Sequence, residues 1–160
     1  MNITVYLGAN AGNDPKLQEA AEALGKWIGK NGHDLINGGK VTGVEPQFFV
    51  DSELQHDGLT ELIVTKDMTD RKTKMIELGD AFIAFPGGTG TLEEIAEVMS
   101  KVSLKHLDAP CILYNLNGYY DGLKALLGHM IEMGLSTKER QESIYFADTL
   151  DEIERILTEK

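Results

Sequence analysis

Cysteine is nearly absent: the chain has one, Cys111. A lone thiol cannot close an internal disulfide, which excludes the stapled secreted scaffolds and fits a reducing cytoplasm. Cys111 sits in the apolar run CILYN, where a free cysteine reads as a small core residue. Basic residues are also scarce, 15 Lys and Arg against 26 Asp and Glu, for a net charge of −11. Nucleic acid is therefore not expected as a main partner, because neutralising its phosphates takes clustered cations. A small anion is still admissible, since local amides and one or two basic side chains outweigh a distant net charge. No apolar run approaches the length of a membrane span, so no membrane partner is expected. MNITVYLGAN has neither a basic n-region nor a small-residue cleavage site, so no signal peptide is expected either.

What is present is an alternation. The 160 residues suit one domain, 1–160, with a real core. ITVYLG, HDLIN, VTGVEP, LTELIVTK, DAFIAF, PCILYN and SIYFA read as strands. Helices are expected in PKLQEAAEALGKWIGKNG, with Pro15 at its start and Gly32 past its end, and in DRKTKMIELG, TLEEIAEVMSKVSL, YYDGLKALLGHMIEMG and TLDEIERILTE. Strands that are apolar on both faces, alternating with helices, predict an α/β fold. It is a Rossmann-like, doubly wound, mainly parallel sheet with helices on both faces. Ligands in such sheets bind beyond the carboxyl ends of the strands. That points to the loops GANAGND, GGK and PGGTGT.

One junction breaks the pattern. Only Gly38, Gly39 and Lys40 separate HDLIN from VTGVEP, whereas parallel neighbours need a crossover of about a dozen residues. The sequence leaves two options: an antiparallel pair, or a crossover missing from the chain. The expectation is that both strands lie parallel in one sheet, with a break between Gly38 and Lys40.

The stretch AFIAFPGGTGTLEE poses the functional question. Pro86 ends a strand. Gly87, Gly88 and Gly90 let the backbone turn tightly and approach a ligand. The turn opens into a helix whose first N–H groups lack partners and whose dipole is positive there, an anion site suited to phosphate. No Lys-Ser/Thr pair follows, so it is not a Walker loop. The plain alternative is a capping box, with Thr91 as N-cap and Glu94 at the third helical position. Upstream, DRKTK is either a solvated basic face or a source of cations, Arg71 and Lys72, for the same anion.

Taken together, DRKTKMIELGDAFIAFPGGTGTLEE resembles the signature of the Lonely Guy (LOG) family, often mislabelled as lysine decarboxylases: an RK pair followed by PGGxGTxxE. YLGANAGNDP and NLNGYYDGL resemble the family's first loop and its late strand-to-helix turn. The resemblance implies hydrolysis of the N-glycosidic bond of a nucleoside 5'-monophosphate, best known for cytokinin ribotides, releasing base and ribose 5-phosphate. It also implies a homodimer and no metal or redox cofactor.

Carried onto this sequence, the resemblance makes Arg71 and Glu94 the catalytic pair. Glu53, Lys72, Gly87, Gly88, Thr89, Gly90, Thr91 and Glu93 would line the nucleotide site. The family's Gly-rich loop and helix between the second and third strands are missing here. A second reading stays open on that account: a non-catalytic carrier of a nucleotide or nucleotide-containing cofactor. Lysine decarboxylation is disfavoured, since no Schiff-base lysine motif is present. The preferred base is not legible.

Overall fold

The computed structural model describes the chain except residues 9, 11, 37–41, 48–49, 51–59 and 160. In chain order the described elements are β1 (Asn2–Tyr6), α1 (Pro15–Lys30), β2 (Asp34–Ile36), β3 (Thr42–Pro46), β4 (Glu61–Thr65) and α2 (Met68–Leu78). Then come β5 (Ala81–Ala84), α3 (Thr89–Ser103), β6 (Cys111–Tyr114), α4 (Asp121–Glu132), β7 (Ile144–Ala147) and α5 (Leu150–Thr158). The strands form one sheet in the order β4-β3-β2-β1-β5-β6-β7. Every pairing is parallel, so the expected "mainly parallel" sheet contains no antiparallel pair among the described residues.

The continuous apolar runs follow from burial on both sides. Ala81, Ile83 and Phe85 join a core layer with Leu24 and Ile28 of α1 and Ile153 and Leu157 of α5. Phe82 and Ala84 point the other way, into a layer with Met75 of α2 and Ile95, Val98, Met99 and Val102 of α3. Cys111 falls in this second layer and is fully buried, as a free cysteine in an apolar run should be. Burial pushes its thiol pKa well above the ordinary range, which makes it inert.

Local signals set the helix ends. Asp14 caps α1, accepting from Lys16 N at 3.0 Å, and Pro15 occupies the first helical position, where its missing N–H costs nothing. Gly32 follows with φ +68°, a conformation that favours glycine. Near this end, at the amino edge of the sheet, Trp27 lies with its ring 5.5 Å from that of His33. Asp67 caps α2 through the N–H groups of Thr69 and Asp70, so α2 starts two residues before the expected Asp70. Thr149 caps α5.

β2 and β3 are parallel neighbours, with one ladder pair, Ile36 opposite Thr42. The strands are staggered: β3 begins level with the end of β2. The parallel arrangement expected of these two strands is thus found, with their overlap confined to that one pair. The expected break at Gly38–Lys40 lies outside the described residues.

α4 is the exception to the two-sided core. It carries Leu123, Leu126, Leu127, Met130 and Ile131, yet none of its residues is fully buried. Among the described residues no helix is long and apolar enough to cross a membrane.

Candidate functional site

The carboxyl ends of β1, β3 and β5 open on a cleft of about 690 Å³. The loop after β1 supplies Gly8 and Asn10, the end of β3 supplies Glu45, and α2 supplies Met68 and Arg71. The turn from Pro86 to Thr91, together with Glu93 and Glu94, forms another wall, and Tyr119 closes the rim.

Two glycines let these walls touch. A Cβ on Gly8 would lie 3.2 Å from Gly87 Cα, and one on Gly87 would lie 3.2 Å from Gly8 N and 2.3 Å from Thr91 Oγ1. Backbone meets backbone here, and only glycine permits it.

α3 starts at Thr89, with Gly88 as N-cap and no side chain bonded to its first N–H groups. Leu92 N is the first to bond back, to Gly88 O at 3.1 Å. The N–H groups of Thr89, Gly90 and Thr91 thus have no acceptor within the helix. The capping-box alternative does not hold: Thr91 is not the N-cap but the third residue of the helix. Its packing against Gly87 draws the helix start forward, and glycine serves as a tolerable N-cap. Thr91 is 3% exposed, and its Oγ1 has no hydrogen-bond partner among the described residues. A buried orphan hydroxyl at an uncapped helix start is what an oxyanion would satisfy. No acidic residue lies in the first turn of α3, so dipole complementation does not explain Glu93 and Glu94.

Glu94 faces Arg71 instead. Arg71 Nη1 donates to Glu94 Oε1 at 2.7 Å, and Arg71 Nε donates to Val44 O at 2.9 Å. Arg71 is only 8% exposed, so the solvated-face alternative is wrong for this residue: α2 packs its Arg71 side against β3, where a strand-end carbonyl and a carboxylate satisfy the guanidinium. Arg71 occupies Oε1 of Glu94, and no bond reaches Oε2 from the described residues. Beneath the pair lies buried Tyr6. Burial first, and then the Glu94 charge, push its phenol far above the usual range, so it stays neutral.

Lys72 points elsewhere. It pairs with Glu93 and, at 3.7 Å, with Glu97, and it is not among the residues lining the cleft. Its hydrogen bond to Glu93 raises its pKa. Gly87, Gly88, Thr89, Gly90, Thr91, Glu93, Glu94 and Arg71 are brought together around the cleft, while Glu53 lies outside the described residues.

Sequence reasoning missed Glu45 and Tyr119. A carboxylate next to the last residue of β3 was the available signal for Glu45, because ligands bind at strand ends. For Tyr119 the signal was an aromatic pair after Gly118, a glycine with φ +73°.

Comparison with known proteins bears on the family and the fold. The family model described as possible lysine decarboxylase matches residues 30–157. A cytokinin riboside 5'-monophosphate phosphoribohydrolase of Rhodococcoides fascians is 39% identical over 155 residues, covering 85% of this chain and 78% of that protein. The phosphoribohydrolase LOG3 of Arabidopsis thaliana is 33% identical over 175 residues, covering 98% and 81%. That aligned stretch is longer than this chain, so LOG3 has internal positions with no counterpart here. Among solved structures, TM1055, a structural-genomics target, superposes with a TM-score of 0.73 at 20% identity over 99% of both chains. The molybdenum cofactor carrier protein of Chlamydomonas reinhardtii gives 0.66 at 18% identity, over 98% of this chain and 97% of that one. At such identities these two establish the fold alone. Sequence kinship carries the rest: this chain belongs to the family described as possible lysine decarboxylase, the family of the LOG phosphoribohydrolases.

Proposed function

We propose that the protein hydrolyses the N-glycosidic bond of a nucleoside 5'-monophosphate, of the AMP or cytokinin-ribotide type. The observation that carries this reading is the ion pair between Arg71 of α2 and Glu94 of α3, 2.7 Å apart at the cleft, Glu94 lying on the helix whose uncapped start holds the orphan hydroxyl of Thr91. The relatives' activity supports it.

The chemistry follows from that pairing. The phosphate binds the free N–H groups from Gly88 to Thr91 and the Thr91 hydroxyl, and this fixes the ribose. Arg71, itself held by Val44 O, locks the Glu94 carboxylate in one orientation and leaves Oε2 for the substrate. As the glycosidic bond breaks, its electron pair leaves with the base and the ribose becomes oxocarbenium-like. Glu94 stabilises that cation and takes a proton from the attacking water. The water oxygen bonds to the anomeric carbon, the base takes up a proton, and Glu94 returns its own to solvent. Glu93, tied to Lys72, stands at the cleft rim as a substrate contact. Glu53 is proposed as a further one from the resemblance alone. No step calls for a metal or redox group. Incubation with AMP, with free adenine followed by chromatography, tests the reading. Absence of a free base, adenine from AMP and the N6-substituted base from a cytokinin ribotide, refutes it.

The same reading makes the protein a cytoplasmic homodimer. The apolar side of α4 and the exposed Leu92, Met133 and Leu135 offer a face that a second copy would cover.

A further inference from the structure

The sequence NLNGYYDGL has no task in the chemistry above, although the structure lays it against the phosphate turn. Two successive tyrosines reach the two carbonyls that flank Pro86. Tyr120 Oη donates to Phe85 O at 2.8 Å, and Tyr119 Oη donates to Gly87 O. Tyr120 is buried, and its own N–H donates to Asn115 Oδ1 at 2.6 Å. Tyr119 is 54% exposed, yet its ring is held edge-on against Tyr120, with centroids 4.9 Å apart.

An exposed tyrosine aimed at a backbone carbonyl fixes more than that carbonyl. The chain has no cis peptide among the described residues, and in a trans peptide the C=O and the following N–H point in opposite directions. With Gly87 O turned toward Tyr119, Gly88 N–H turns away from it. That nitrogen lies 3.6 Å from where a Gly8 Cβ would stand, on the Gly8 side of the cleft, and it has no acceptor among the described residues.

We propose that Tyr119 is a positioning residue for phosphate: its hydroxyl holds the Gly87–Gly88 peptide so that Gly88 N–H faces the cleft as a donor to the substrate's phosphate. Without that hydroxyl the peptide between two glycines is free to rotate, and the donor is shared among orientations. The proposal rests on the phosphate-binding part of the function above, and its test separates the two.

Tyr119→Phe keeps the ring and its contact with Tyr120 and removes only the hydroxyl. Binding of inorganic phosphate and of ribose 5-phosphate is measured by calorimetry, inhibition by adenosine and hydrolysis of AMP by steady-state kinetics, and folding by thermal melting. The expected result is a Kd for both phosphate probes, and a KM for AMP, raised about five- to tenfold, the worth of one ordinary hydrogen bond. The kcat stays within about twofold, and adenosine inhibition and the melting temperature do not change. Unchanged phosphate affinity, or an equal loss for adenosine, overturns the proposal, as does a wild-type protein that binds neither phosphate probe. A wild-type protein that binds phosphate but releases no base from AMP or from a cytokinin ribotide refutes the hydrolase alone, and the calorimetry of Tyr119→Phe still decides the role of Tyr119.

Discussion

Thr91 Oγ1 occupies the space that a side chain on Gly87 would need, 2.3 Å from the position of that missing Cβ. The contact joins the turn after β5 to the first turn of α3, and it makes the shape of the anion site depend on one residue having no side chain. Gly87→Ala should therefore lose about 1–3 kcal/mol of stability through overpacking, together with phosphate affinity. Thermal melting and calorimetry check both. A variant that melts like the wild type would mean that the turn relaxes without cost.

Thr91→Val separates the two meanings of this threonine. The hydroxyl is buried and has no partner among the described residues, so replacing it with a methyl group of the same shape should leave the melting temperature unchanged or higher. Phosphate affinity should fall about tenfold, the loss of one hydrogen bond to a charged acceptor. An N-capping threonine would behave in the opposite way, losing about 1 kcal/mol of stability.

Glu94→Gln should keep the fold and the phosphate site while lowering kcat about a hundredfold or more, as for loss of other single electrostatic stabilisers. Steady-state kinetics with AMP measures it. Wild-type turnover combined with reduced thermal stability would remove Glu94 from the chemistry.

Arg71→Ala should lower activity and also destabilise the protein, by about 3 kcal/mol, because it strands a mostly buried carboxylate and an unpaired Val44 carbonyl. Water in the cleft keeps the loss at the low end for a broken buried pair. Arg71→Met with Glu94→Gln should recover most of that stability without recovering turnover. Chemical denaturation of the two variants makes the comparison, and equal losses would show that the pair does not act as a unit.

Light scattering at micromolar concentration should give about twice the 17.6 kDa chain mass. Leu126→Glu, on the exposed side of α4, should give the monomer mass with an unchanged circular-dichroism spectrum. A monomeric wild type would leave the apolar face of α4 without this explanation.

The sheet and its helices were legible because the central strands, above all β5 and β6, are short, apolar on both faces and bounded by turn residues. That pattern survives in one dimension. The glycine turn was legible for the same reason: its physics is local. The burial of Arg71 was not, because it depends on a carbonyl 27 positions away and a carboxylate 23 positions away. In sequence Arg71 stands among Lys72 and Lys74 as if on a solvated face. The start of α3 was misread because Thr89 and Thr91 are both plausible beginnings, and packing against Gly87 decides between them. The stagger of β2 and β3 is a property of register between strands, which neither strand states alone.

Trp27 is the chain's lone tryptophan, and it stands beside His33 at the amino edge of the sheet, the edge remote from the cleft. Indole emission is thus an optical gauge of whether the α1–β2 corner is assembled, and a nucleotide entering the far edge has no route to perturb it. Melting curves recorded through Trp27 should therefore follow assembly of this corner, and a midpoint that moves when nucleotide is added should reflect stabilisation of the folded chain by the ligand rather than a change around the indole.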